Sequence, residues 1–265
     1  MKRSTVSDIL SRFKKGEKLV SLSLYDAWMA RLADEAGADI LLVGDSLGMT
    51  VLGYETTVPV TMEDCLRHTG AVVRGSKNAI VVGDLPFLSY QTSIADAMRN
   101  AARFLQEAGA TAVKLEGGVE MAATVKSLVQ SGIPVMGHIG ILPQCVNVDG
   151  YKVKGRTAED EARLLDDALA LQEAGAFAIV IEGVQRDVAQ RISAALEIPT
   201  IGIGAGSGCS GQIQVAHDIL GLIEGFVPKH AKVYRSLAGD IRSAFSEFTV
   251  DVKDGSFPGE ENSFK

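Results

Sequence analysis

The chain has 265 residues, 46% of them hydrophobic, 22% charged and 6% aromatic, with a mean hydropathy of +0.16. That apolar fraction is ample for a core and argues against disorder, and no apolar run approaches the roughly 18 residues that span a bilayer, so a soluble protein without a membrane partner is expected. Twenty-six basic residues stand against 33 acidic ones, and the net charge of −7 disfavours nucleic acid as a partner.

The N-terminus, MKRSTVSDILSRFKK, lacks the continuous apolar stretch of a secretory signal; Val6, Ile9, Leu10 and Phe13 have helical spacing instead. This amphipathic segment is a candidate interface element. Cys65, Cys145 and Cys209 are too few and too scattered for a disulfide framework or a thiolate metal cage, which suits reduced thiols and a cytoplasmic location.

Further along, one short sequence recurs: EAGADILLV at 35–43, EAGATAVKL at 107–115 and EAGAFAIVI at 173–181. Each starts on a helical segment, stops at a glycine suited to the left-handed position after a helix, and enters an apolar β-branched run. SGIPVMGHIG at 131–140 and LEIPTIGIG at 196–204 place proline just before an apolar strand. With KLVSLSLYD at 18–26 and NAIVVGDLP at 78–86, these make seven short buried strands alternating with helices, and GQIQVAHDI at 211–219 supplies either an eighth strand or a helix start. Such alternation implies parallel strands with helical crossovers, and the length matches the roughly 250 residues of a (β/α)8 TIM barrel. The expected organisation is an α/β single-domain barrel over 1–248 with an N-terminal helical extension, followed by a polar tail over 249–265.

Barrel chemistry sits at the C-terminal strand ends. There the sequence places Asp26, Asp45 with Ser46, Asp84, Lys114 with Glu116, His138, Glu182, and the glycines 202, 204, 206 and 208. Counting back by two predicts that Asp45 continues a column through Val43 and Leu41, Asp84 one through Val82 and Ile80, and Glu182 one through Val180 and Ala178. Asp45, Asp84 and Glu116 are hard oxygen donors, which suit Mg2+ better than Zn2+. The alternative for each acid, and for Ser46, is a helix N-cap. Glu182 could be a fourth ligand, a general base or the start of a loop; His138 could bind a substrate carboxylate or be structural, and Lys114 could neutralise an anionic substrate or snorkel from the rim. GSGCSG at 206–211 matches the dinucleotide glycine pattern only formally, since it follows the seventh strand; backbone approach to a ligand anion and simple turning are the two readings.

At these residues the chain resembles the ketopantoate hydroxymethyltransferase family. The matching blocks are YDAWMARLADEAGADILLVGDSLGMTVLGYETTVPVT, VVGDLPFLSYQTS, AVKLEGG, PVMGHIGILPQ, GYKVKGR, VIEGV and IGIGAG followed by GQ and HD, from about residue 18 to residue 235. The resemblance implies Mg2+-dependent transfer of a hydroxymethyl group from 5,10-methylenetetrahydrofolate to 3-methyl-2-oxobutanoate, giving 2-dehydropantoate for pantothenate synthesis. Carried over by motif, Asp45 and Asp84 become metal ligands and Glu116 closes the metal shell. Asp45, Ser46, Asp84, Lys114 and His138 line the oxo acid, and Glu182 is the proton acceptor. Mg2+ chelated by the substrate would stabilise the enolate formed at C3, with Lys114 adding positive charge. The resemblance also implies a homodecamer built from pentamers. A related Mg2+-dependent 2-oxo acid carbon–carbon lyase or aldolase is the alternative enzyme, and a non-catalytic metabolite-binding barrel the alternative of another class. Departures from the family pattern fall at Ser23-Leu24, Ser210 and the PKHAKVY segment containing His230.

Overall fold

The computed structural model describes residues 3–225 and 227–264. Eight parallel strands close into a barrel in sequence order: β1 (Leu19–Ser23), β2 (Ile40–Val43), β3 (Ile80–Asp84), β4 (Ala112–Lys114), β5 (Val135–Gly140), β6 (Ala178–Glu182), β7 (Thr200–Ile203) and β8 (Gly211–Val215). Closure is made by β1 against β8, from Leu19 opposite Gly211 to Ser23 opposite Val215. GQIQVAHDI therefore does both things open to it: its first half is the eighth strand and its second half starts a helix.

The α-helices are α1 (Val6–Lys14), α2 (Ala27–Glu35), α3 (Leu47–Thr50), α4 (Met62–Gly75), α5 (Ile94–Gln106), α6 (Ala122–Gln130), α7 (Val146–Asp149), α8 (Ala158–Glu173), α9 (Arg186–Ala195), α10 (Ala216–Ile219) and α11 (Leu237–Asp254). The recurring EAGA joints behave as the sequence predicts, with φ of +89° at Gly37, +76° at Gly109 and +97° at Gly175. Only glycine enters that region without strain, so the helix stops and the chain turns directly into β2, β4 and β6.

Alternate strand residues form one contiguous core, including Leu19, Ile40, Leu42, Ile80, Val82, Ala112, Met136, Ala178, Val180, Ile201, Ile203 and Ile213. Ile9 of α1 belongs to the same cluster and Val6 packs against it, while Arg12 pairs with Asp39 just ahead of β2. The amphipathic N-terminal helix thus packs Ile9 and Val6 against the N-terminal end of the barrel, while Leu10 and Phe13 stay half-buried.

Between β7 and β8 no helix intervenes. The glycine run returns against α9: a Cβ on Gly206 would lie 2.6 Å from Arg186 Cβ, and one on Gly208 2.7 Å from Gln190 Cβ. These two glycines serve close packing.

Chain contacts divide the molecule after Val215, and residues from Ala216 onward form a second compact unit. The expected boundary at 248 falls inside α11, because the apolar residues of FTVDV continue its helix before the polar composition takes over. Among the described residues no helix is long and apolar enough to cross a membrane, and all three cysteines are free.

Candidate active site

The inward columns deliver most of the predicted residues to one place. Asp84 ends the column Ile80–Val82, and it stands in register with Lys114, two residues beyond Ala112 on β4. Glu116 follows on the same face, His138 lies two residues past Met136, and Glu182 ends the column Ala178–Val180. Gly140 sits opposite Glu182, with φ of +101° and no room for a Cβ, which would lie 2.1 Å from Glu182 O; β5 and β6 therefore end in close contact.

Asp45 arrives differently from the expected column. The inward residues of β2 are Ile40 and Leu42, so Leu41 and Val43 face the helices. The strand stops at Val43, and a turn through Gly44 returns Asp45 to the site, where its N–H donates to Asp84 Oδ2 at 3.2 Å. Gly44 packs closely there: a Cβ would lie 3.0 Å from Ser46 Oγ, 3.4 Å from Ser23 Oγ and 3.6 Å from Asp84 Oδ2.

Lys114 Nζ donates to both oxygens of Asp84 at 2.8 Å and lies 3.8 Å from Glu116 Oε1. His138 stands between two acids, with Nδ1 3.5 Å from Glu116 Oε1 and Nε2 3.3 Å from Glu182 Oε2. Both ring nitrogens thus face carboxylates. Ser46 precedes α3 without capping it; its hydroxyl pairs with Tyr25 OH at 2.8 Å, close to Ser23 Oγ at 3.5 Å. Asp26 is the acid for which the capping alternative holds, accepting from Trp28 and Met29 N–H at the start of α2.

Two residues without a predicted role complete the cluster. Gln144 Nε2 donates to Asp45 Oδ2 at 2.9 Å, and its backbone N–H donates to Glu116 Oε2 at 3.1 Å. Tyr90 OH accepts from Glu116 N–H at 3.1 Å and lies 2.9 Å from Gln144 Oε1. Both lie in sequence blocks that carry the resemblance, but neither bears a charge that marks it as chemical.

Desolvation sets the electrostatics. Burial, then repulsion from Asp84 and Glu116, pushes the Asp45 carboxyl well above the usual range. Burial raises Asp84 more than Lys114 lowers it. Burial would likewise raise Glu116, but His138, Lys114 and the Gln144 N–H together bring it below its ordinary value. For Lys114, burial opposes the charge but Asp84, Glu116 and Asp45 outweigh it, so the ammonium persists. Burial and Lys114 disfavour the imidazolium of His138, whereas Glu116 and Glu182 favour it and raise its pKa to about 9.

The donor set fits a hard divalent cation. Four carboxyl groups gather around one ammonium and one imidazole, burial and mutual repulsion disfavour the charge on Asp45, and the buried Glu116 Oε1 and both ring nitrogens of His138 make no hydrogen bond. Among the described residues no three His, Cys, Asp or Glu side chains are gathered to hold a metal by themselves. Mg2+ commonly takes one or two protein carboxylates and keeps its other positions for water and substrate oxygens, which Asp45 and Asp84 can satisfy.

The departures from the family pattern land in three settings. Ser23 is in the site and keeps a hydroxyl there, donating to Tyr25 OH at 3.2 Å. Ser210 lies at the opposite end of the barrel, where its Oγ accepts from Thr200 N–H at 3.2 Å. His230 belongs to the second unit.

A family model described as ketopantoate hydroxymethyltransferase matches residues 3–260. Proteins named 3-methyl-2-oxobutanoate hydroxymethyltransferase are similar over nearly the whole chain. That of Chloroflexus aurantiacus is 58% identical, covering 98% of this chain and 92% of its own length; that of Syntrophus aciditrophicus is 54% identical, covering 99% and 97%. Among solved structures, a 2,3-dimethylmalate lyase aligns with a TM-score of 0.60 at 18% identity, covering 98% of this chain and 91% of that one. A phosphonopyruvate hydrolase in complex with oxalate and Mg2+ aligns with a TM-score of 0.64 at 14% identity, covering 98% and 93%. At such identities the structural likeness establishes the barrel fold.

Proposed function

The chain belongs to the ketopantoate hydroxymethyltransferase family, and from that premise we propose a Mg2+-dependent reaction at the barrel mouth. It transfers the one-carbon unit of 5,10-methylenetetrahydrofolate to C3 of 3-methyl-2-oxobutanoate and gives 2-dehydropantoate for pantothenate synthesis.

The observation that carries the reading is the contrast between Glu182 and its neighbours. Its side chain is 21% exposed, whereas those of Asp84, Lys114, Glu116 and His138 are 5% exposed or less. Glu182 is therefore the acid at the lip of a sealed polar cluster, where a substrate C–H can reach a carboxylate oxygen. His138 Nε2 lies 3.3 Å from Glu182 Oε2, where an imidazolium would favour the carboxylate form of the base. Asp45 and Asp84 would hold Mg2+, with Glu116 behind them, and when bound the ion supplies Lewis-acid polarisation of the oxo acid. Lys114 places a fixed positive charge beside those acids, where the keto oxygen gains charge as the enolate forms. Glu182 accepts the C3 proton; C3 bonds to the methylene carbon as one of its two C–N bonds to folate breaks, water then displaces the second folate nitrogen, and the proton held by Glu182 and the one released by water end on those two nitrogens of tetrahydrofolate. No protein nucleophile is needed.

Deuterium exchange at C3 of 3-methyl-2-oxobutanoate, with Mg2+ present and folate omitted, tests the first half. Wild-type protein is expected to exchange, and Glu182→Gln to lose about 100- to 10,000-fold of the rate; exchange by the variant at the wild-type rate removes Glu182 as the base. Product formation that needs no folate would favour a carbon–carbon lyase, a reading that otherwise rests on the fold alone.

Self-association is part of this reading. On α11, Ile241, Phe245, Phe248 and Val252 are all exposed with helical spacing, and on α2 Trp28 and Leu32 are 72% and 61% exposed one turn apart. Apolar stripes of this size suit contacts between copies of the chain, and the homodecamer is the assembly that the family resemblance implies. Three free thiols suit the cytoplasmic location that belongs to this reading.

A further inference from the structure

Gln144 is buried within the carboxylate cluster although it comes from a short 3-10 turn, Pro143–Cys145, beyond the end of β5. Its Nε2 donates to Asp45 Oδ2 and to Leu85 O, both at 2.9 Å, and its backbone N–H donates to Glu116 Oε2. Its Oε1 lies 2.9 Å from Tyr90 OH and accepts from Gln91 Nε2 at 3.2 Å. Turning the amide over would set donor against donor and acceptor against acceptor, so one orientation satisfies every partner.

One residue thus occupies one oxygen on each of two acids. The other oxygens are treated differently: among the described residues Asp45 is held only through Oδ2, and the buried Glu116 Oε1 makes no hydrogen bond, with Lys114 Nζ at 3.8 Å and His138 Nδ1 at 3.5 Å facing it. A neutral amide is suited to this task. Lysine at the same place would neutralise the acids and compete with a cation, and glutamate would repel them, whereas an amide fixes a carboxylate without altering its charge.

We propose that Gln144 is a positioning residue that locks the carboxylates of Asp45 and Glu116, so that Asp45 Oδ1 and Glu116 Oε1 are kept for a divalent cation and its water or oxo-acid ligands. Tyr90 and Gln91 anchor the amide in the required orientation. The inference rests on the Mg2+ reading above.

The test is Mn2+ titration followed by electron paramagnetic resonance, with no substrate present, on the full-length protein. Gln144→Met keeps the side-chain length and the backbone N–H on Glu116 Oε2 but removes the side-chain amide that holds Asp45; its Mn2+ affinity is expected to fall about 10- to 100-fold while thermal unfolding stays cooperative. Tyr90→Phe and Gln91→Ala leave Gln144 in place with one anchor fewer, and each is expected to weaken Mn2+ by a smaller factor in the same direction. Should Gln144→Met fail to fold, wild-type affinity in both anchor variants overturns the proposal. So does wild-type affinity in a folded Gln144→Met. Wild-type protein that binds no Mn2+ overturns the metal reading itself, and the lock with it.

Discussion

Lys114 Nζ lies 2.8 Å from each carboxylate oxygen of Asp84, and both side chains are sealed from solvent. Removing one partner leaves the other charged without water to replace it. Lys114→Met is therefore expected to lose about 3–5 kcal/mol of stability in urea denaturation. It should also lose about 100- to 1,000-fold of the C3 exchange rate, as removal of a positive charge from a developing oxyanion does. A variant within about 1 kcal/mol of wild type would mean that Asp84 finds another partner when Lys114 is gone.

Asp84 faces the ammonium and, in the proposed reading, the cation. Asp84→Asn keeps the shape but gives up the charge, and it is expected to lose both Mg2+ dependence and most activity. Calorimetric titration of Mg2+ checks this, and unchanged affinity would remove Asp84 from the ligand set.

Much of this arrangement is legible in the sequence because repetition marks it. The EAGA joints fix three helix-to-strand turns through Gly37, Gly109 and Gly175, and the strand columns behind Asp84 and Glu182 follow from a period of two. Asp45 escapes that count because β2 ends at Val43, and beyond a strand end alternation no longer predicts direction. Gln144 and Tyr90 escape for another reason. Each enters from a connecting segment, and an uncharged polar side chain shows its value only once the carboxylates it touches are known. The apolar spacing of α1 reveals a buried face but not its partner, which is the closed end of the barrel.

Phe245 is the most exposed residue of the apolar stripe on α11, at 68%. If the stripe joins copies of the chain, a charge at its centre must be desolvated without a partner. Phe245→Glu is expected to elute as a smaller species in light-scattering chromatography, with its secondary structure retained. An unchanged mass would place the subunit contacts elsewhere.

Gly83 shows how closely β3 meets the helix layer. A Cβ there would lie 2.2 Å from Phe104 Cδ1 on α5, and Phe104 is fully buried. Gly83→Ala must displace that ring, at an expected cost of about 1–3 kcal/mol. Because Asp84 follows directly, the displacement should also slow C3 exchange. Pairing Gly83→Ala with Phe104→Leu should recover part of both losses, measured by thermal unfolding and by exchange.

Asp34, at the end of α2, ties the segment entering β3 to that helix. Its carboxylate accepts from the N–H groups of Lys77, Asn78 and Ala79 and from Asn78 Nδ2. Burial alone would raise its pKa, but the backbone hydrogen bonds from Ala79, Lys77 and Asn78 outweigh burial and leave it below the ordinary aspartate value. A folded-state pKa depressed in this way contributes stability that is present above the unfolded-state value and disappears as pH falls through the folded-state one. Asp34→Asn, which keeps one acceptor and loses the charge, is expected to cost about 1–3 kcal/mol at neutral pH. In urea denaturation over a pH series, the gap between wild type and variant should stay constant down to the ordinary aspartate range and close below it. A gap that persists undiminished into strong acid would mean that the Asp34→Asn variant is penalised by the shape of its amide rather than by the lost charge.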